Sequence, residues 1–169
     1  MRSDFTDKNI SIRTELRSGD LGYVIYRHGK LYHEENGYGI AFEAYVAEGL
    51  AEFYRSYDAE KDCVWICEDV GKIIGFLLLM HRSETVAQLR YFYLEPEYRS
   101  LGLGNKLMQL FMDFLKEKNY KSAYLWTTNE QVAAANLYQR YGFALTEEKE
   151  SDAFGKSLIE QRFDLLLKS

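Results

Sequence analysis

Cysteine, proline and long apolar runs are all scarce in this chain, and each scarcity removes a class of answer. The two cysteines among 169 residues, Cys63 and Cys67, lie four apart on one face of a strand-like run. No second Cys/His cluster stands near them, so neither a zinc site nor a disulfide framework follows. Free thiols in a reducing compartment are the expectation. The longest apolar run, Ile73–Met80, falls far short of the roughly 20 residues that span a bilayer, and it carries Gly75. Residues 1–9 are polar and charged, unlike a secretory leader. A cytoplasmic protein with no membrane partner is expected. Basic residues are outnumbered 21 to 26, for a net charge of −5, which argues against a general nucleic-acid surface.

What the chain does have is an ordinary globular composition, 47% apolar and 28% charged, with 14 tyrosines. Its length suits one domain with a real core, so residues 1–169 are expected to form a single domain. Tyrosine serves equally as core filling and as amphipathic pocket wall.

Hydrophobic periodicity orders the chain. Alternation over Asn9–Leu16 predicts a first strand. Ser18 and Asp20 are cap candidates for a helix over Asp20–Glu35, and Asn36-Gly37-Tyr38-Gly39 breaks it before a second helix striped by Phe42, Tyr45, Val46, Leu50, Phe53 and Tyr54. Asp62–Asp69, Ile73–His81 and Thr85–Leu94 read as three strands, the first two a hairpin through Val70-Gly71-Lys72. Strands apolar on both faces are expected to be central and covered. Gly102–Asn119 reads as the main helix, with Leu103, Leu107, Leu110, Phe111, Phe114 and Leu115 on one side. Ser122–Thr127 is a short strand, Asn129–Tyr141 a helix closed by Gly142, and Phe143–Glu150 and Ser157–Leu167 two closing strands. The order β-α-α-β-β-β-α-β-α-β-β implies an α+β fold with a mixed sheet, one strand–helix–strand unit lying between hairpin strands.

One loop stands out. The chain's single proline, Pro96, stops the run Leu89–Leu94, and Arg99-Ser100-Leu101-Gly102-Leu103-Gly104-Asn105 follows before the helical pattern begins. Glycines there let backbone approach a ligand, and successive amides at a helix's positive end favour an anion. A glycine pair alone is weak evidence. The dinucleotide fingerprint would need a third glycine where this chain has Leu107, and nothing matches a Lys-Ser/Thr phosphate loop.

The wider pattern is strand, Pro96, Arg99-x-x-Gly102-x-Gly104, helix, strand, then Leu137-Tyr138-x-x-x-Gly142-Phe143. It resembles the GNAT superfamily of acyl-CoA-dependent N-acyltransferases, and Leu89–Pro96 is similar to the acetyltransferase half of MarR–GNAT fusion proteins. The resemblance implies a mostly antiparallel central sheet of about seven strands with helices on both faces. It implies acetyl-CoA as co-substrate, no metal, and a small-molecule or peptide amine as acceptor; relatives often form homodimers. Pyrophosphate would sit on the loop Arg99, Ser100, Leu101, Gly102, Leu103, Gly104 and Asn105. The pantetheine arm would pair with the main chain of Phe92, Tyr93 and Leu94 as an added strand.

Tyr138 falls where the family has a general acid, and a phenol with an ordinary pKa of about 10 is protonated at neutral pH and can give a leaving thiolate its proton. Many relatives place an asparagine where this chain has Gln131; Asn129 and Asn136 are the nearby amides offered to the cofactor, and Asn129 is equally a helix-cap candidate. No general base stands out, with Glu84, Glu95 and His81 nearest the strand ends. His28 and His33 read as packing or surface histidines. The activity implied is N-acetyl transfer to an amine by direct attack. A module of the same fold that senses acyl-CoA or a small amine without turnover is the alternative, and the presence of Tyr138 tilts toward the enzyme.

Overall fold

A computed structural model describes residues 9–168. Of the polar stretch 1–9, unlike a secretory leader, residues 1–8 lie outside the described residues. In order come β1 (Ile10–Arg13), α1 (Asp20–Asn36), α2 (Ile40–Arg55), β2 (Cys63–Asp69), β3 (Lys72–His81) and β4 (Val86–Leu94). A single 3-10 turn (Pro96–Tyr98) leads to α3 (Leu103–Glu117), β5 (Ser122–Thr128), α4 (Val132–Arg140), β6 (Ala144–Ser151) and β7 (Leu158–Leu166). The seven strands belong to one mixed sheet, as the sequence order implied. Among the described residues no helix is long and apolar enough to cross a membrane.

The chain gathers into two compact units. Among the described residues, one holds residues 9–15, Ala59–Ala123 and residues 166–168; the other holds Leu16–Asp58 and Tyr124–Leu165.

In the first unit β1, β2, β3 and β4 are neighbours in that order, each pair antiparallel. Every residue from Ile73 to Met80 is buried, which is why β3 reads as an unbroken apolar run rather than an alternating one. Val70 (φ 48°) and Gly71 (φ 78°) are both left-handed, giving the two-residue turn whose twist suits a tight hairpin. α3 buries Leu103, Leu107, Met108, Phe111 and Leu115, each side chain contributing about 1.5–3 kcal/mol. Phe111 and Phe114 lie against Trp65 at ring distances of 6.3 and 6.0 Å.

The β3–β4 register slips between Phe76↔Tyr93 and Leu78↔Arg90. Tyr91 and Phe92 therefore stand opposite Leu77 alone, and Tyr91 is left-handed at φ 59°. That is a β-bulge, a device that bends a strand and re-aims the residues beyond it.

In the second unit α1 and α2 approach closely at Gly29, where a Cβ would run into the Glu43 carboxylate. α1 ends at Gly37 (φ 74°), whose amide donates to the His33 carbonyl at 2.9 Å. Tyr32, Tyr38, Phe42 and Phe154 then form an aromatic cluster with ring distances of 4.9–5.8 Å. β7 lies between β5 and β6 and pairs antiparallel with β6. β6 is exposed along nearly its whole length. Cations cover two aromatic faces here: Lys149 Nζ lies 4.7 Å from the Trp126 ring centre and the Arg162 guanidinium 4.2 Å from that of Tyr124.

Several expected boundaries move. The first strand stops at Arg13 rather than Leu16, because the chain then leaves β2 for a turn in which Arg17 N–H donates to Asp20 Oδ2 at 2.7 Å. Neither Ser18 nor Asp20 caps α1; Gly19 (φ 96°) does, without a side-chain bond. The helix expected from Asn129 begins at Val132, because both backbone and side chain of Asn129 are held by β7.

Candidate active site

The glycine loop sits in the first unit, between a strand end and a helix start. Glu95 N–H donates to the Ile74 carbonyl at 2.8 Å, prolonging the β3–β4 ladder by one bond. The 3-10 turn follows, Pro96 at its first position, with Tyr98 N–H donating to Glu95 at 2.9 Å and Arg99 N–H to Pro96 at 3.3 Å. Ser100 (φ 65°) and Gly102 (φ 87°) are both left-handed. For a serine that conformation costs about 1–2 kcal/mol, whereas Gly102 adopts it freely.

Gly102 is the N-cap of α3, and no side chain caps that helix. The first helical bond beyond the cap runs from Lys106 N–H to the Gly102 carbonyl at 3.1 Å. The first-turn amides of Leu103 and Gly104 thus lie at the positive end of a 15-residue helix, where an anion is favoured. No acidic residue lies in the first turn to compete. Leu103 is buried and fixes the helix start, while Ser100, Gly102 and Asn105 are exposed. Arg99 is exposed too, and its Nε donates to the Leu94 carbonyl at 3.1 Å. The guanidinium is folded over the end of β4, beside the loop it was expected to assist. Phe92 is the second residue of the bulge and Tyr93 and Leu94 follow it, with Tyr93 buried and the other two half-buried.

Tyr138, Asn129 and Asn136 belong to the second unit. Tyr138 is fixed by helix-end geometry: Phe143 N–H donates to its carbonyl at 3.1 Å and Gly142 N–H to that of Gln139 at 3.0 Å, with Gly142 at φ 99°. Those two bonds, with Tyr138 and Phe143 rings 6.2 Å apart, are a Schellman ending and its apolar contact. The motif Leu137-Tyr138-x-x-x-Gly142-Phe143 is thereby explained locally. Tyr138 is 5% exposed. Burial first, then the neighbouring Tyr32 hydroxyl, raise its pKa above the ordinary tyrosine value, so the phenol keeps its proton at neutral pH.

Asn129 does not cap α4. Its Oδ1 accepts from Ile159 N–H at 2.9 Å, and its own N–H donates to the Ile159 carbonyl at the same distance. Gln131 holds the N-cap position but sends Nε2 to Asn36 Oδ1 at 3.1 Å. Asn136 is exposed and, with Ala133, Gln139 and Arg140, lines a shallow groove on α4.

A polar network that sequence reading missed ties down the α1–α2 turn. Tyr38 Oη and Thr128 Oγ1 are 2.8 Å apart, and Lys156 Nζ donates to the Asn36 carbonyl at 2.9 Å and to Glu130 Oε2 at 2.7 Å. Gly39 N–H donates to the Phe154 carbonyl at 2.8 Å. The break Asn36–Gly39 was visible, but its partners are distant in sequence. Of the base candidates, Glu84 is exposed and pairs with Lys61 at 2.5 Å, while His81 Nδ1 and its backbone N–H both engage the buried Asp62 carboxylate at 2.7 and 2.5 Å. Glu95 is buried. Cys63 and Cys67 are free thiols.

Comparison with known proteins adds an independent finding. The model of the acetyltransferase (GNAT) family matches residues 28–143. The protein described as probable N-acetyltransferase camello from Xenopus tropicalis is 31% identical over 116 residues, covering 67% of this chain and 52% of that one. The uncharacterized N-acetyltransferase YjgM of Escherichia coli K12 is 30% identical over 97 residues, 56% of this chain and 58% of its own. The chain thus spans about half the length of the curated relatives it matches. Among solved structures, a GNAT family acetyltransferase from Elizabethkingia anophelis with acetyl-CoA bound aligns at a TM-score of 0.68 and 16% identity, covering 94% and 99% of the two chains. Spermidine N-acetyltransferase from Vibrio cholerae, in complex with CoA and spermine, aligns at 0.68 and 21% identity over 93% and 95%. At such identities the likeness is one of fold.

Proposed function

Since the chain belongs to the acetyltransferase (GNAT) family, we propose that it transfers the acetyl group of acetyl-CoA to the primary amine of an acceptor. The single observation that carries this reading is the start of α3. A left-handed glycine cap, with no capping side chain and no first-turn carboxylate, leaves the helix's positive end to an outside anion. A pyrophosphate fits that chemistry.

In this reading the amides of Leu101–Asn105 hold the pyrophosphate, with Ser100 shaping the loop and Arg99 adding charge after release from the Leu94 carbonyl. The main chain of Phe92, Tyr93 and Leu94, at the bulge and just past it, takes the pantetheine arm as an added strand. Asn136 offers its exposed amide to the cofactor. Asn129, its Oδ1 engaged by Ile159, offers its NH2 group. Bound acetyl-CoA supplies an acetyl group activated as a thioester. Tyr138 holds a proton at Oη for the departing thiolate, and its raised pKa keeps that proton available throughout the neutral range. The acceptor amine reacts as the neutral base, so turnover rises with pH as the amine loses its proton. Tyr138 imposes no fall in rate below about pH 10.

Calorimetric titration with acetyl-CoA, using NAD and ATP as controls, tests the reading. Selective binding of acetyl-CoA is expected, followed by thiol release with a member of an amine panel. Binding of none of the three would remove the cofactor role from the loop. Tyr138→Phe is expected to lower kcat about 100-fold or more while acetyl-CoA affinity stays within about twofold, the phenyl ring keeping its helix-end packing. Undiminished turnover in that variant would take Tyr138 out of the mechanism.

A further inference from the structure

The loop Arg99–Gly102 carries two left-handed residues, one of them a serine. A backbone that strained keeps one shape only if its surroundings hold it there. One end is held by the turn at Pro96, the other by the buried Leu103. A third hold comes from outside the loop. The Tyr98 hydroxyl donates to Asp69 Oδ2.

Asp69 is an unusually firm anchor. It is the last residue of β2 and is paired on both sides, with Ile10 of β1 and with Lys72 of β3. It also opens the two-residue hairpin turn in which Val70 and Gly71 are both left-handed, a geometry with little freedom. Tyr98 is the last residue of the 3-10 turn and lies two positions before left-handed Ser100. A displacement of Tyr98 passes directly into the loop, because no residue between them belongs to a regular element.

We infer that Tyr98 and Asp69 are positioning residues for the cofactor: their hydrogen bond pins the loop so that its amides converge on the pyrophosphate before the ligand arrives. This rests on the acetyl-CoA reading above. Preorganisation of that kind raises affinity by removing an ordering cost from the binding step. A phenol–carboxylate bond is charge-assisted and stronger than a neutral one. Losing it should weaken CoA binding on the order of three- to tenfold. The chemical step, which depends on Tyr138 and the amine, should be untouched.

The experiment compares wild type, Tyr98→Phe, Asp69→Ala, Asp69→Asn and the Tyr98→Phe/Asp69→Ala double variant. Affinity for CoA is read by calorimetry, and kcat and KM for acetyl-CoA are read at saturating amine. The expected pattern is a raised Kd and KM with unchanged kcat in Tyr98→Phe and Asp69→Ala. The double variant should be no worse than either single one, since both remove the same bond. Asp69→Asn, whose amide oxygen still accepts from the phenol, should recover most of the affinity. Wild-type binding with equal affinity in Tyr98→Phe would overturn the tether and leave the acetyl-CoA reading standing. A fall in kcat with KM unchanged, or additive losses in the double variant, would also overturn it. Failure of the wild type to bind CoA would overturn both.

Discussion

His28 is enclosed on α1, its Nδ1–H donating to the Val24 carbonyl at 2.9 Å and its ring stacked on Tyr32 at 5.7 Å. Burial lowers its pKa from 6.5 to about 4, the backbone bond opposing only part of that shift. Because the folded value lies below the unfolded one, the unfolded chain binds the proton first as pH falls. Stability from the neutral ring is complete above about pH 6.5 and drains away toward pH 4. A shift of this size corresponds to about 3 kcal/mol. Urea denaturation between pH 7 and 4 should show that loss, and His28→Phe, which keeps an aromatic ring but cannot titrate, should show a flatter acid limb. At this scale legibility followed sequence distance. Tyr138 was singled out through the motif Leu137-Tyr138-x-x-x-Gly142-Phe143, and the Phe143 N–H bond to its carbonyl that ends the helix lies within five positions. The bonds of Asn129 to Ile159, 30 positions away, and of Tyr98 to Asp69, 29 away, left no local trace.

Elements were easier to read than single contacts, because periodicity is a property of many residues at once. α3 was found to within two residues at each end, since its buried stripe repeats over four turns. The bulge in β4 was invisible: two residues opposing one is a fact about register with β3, and register is a non-local quantity. α4 was drawn to start three residues too early for a related reason, Asn129 being claimed by β7 rather than by helix geometry. Gly102 shows how an element's start can serve two ends. Substitution by alanine at φ 87° should cost about 1 kcal/mol or more, lowering Tm by about 2–4 °C. Calorimetric titration of the same variant should show weaker CoA binding, since the strain is relieved by moving the amides at the cap. An unchanged Tm and affinity would mean that the loop relaxes elsewhere.

Across the whole molecule, charge and aromatic placement say more than composition did. The net −5 is carried partly by Glu147, Glu148 and Glu150 on exposed β6, and charge along an open strand resists edge-to-edge pairing. Fold class followed from element order. The placement of charges on strands did not, because β6 has no buried face to impose alternation. The chain's two tryptophans fall one to each compact unit. Trp65 is enclosed by Phe111 and Phe114, while Trp126 lies half-buried under the Lys149 ammonium. Each unit therefore contains its own native fluorophore. In Trp126→Phe the remaining emission should be blue in the native state and shift red only when the first unit opens. In Trp65→Phe it should respond to Lys149→Gln, reporting the second unit alone.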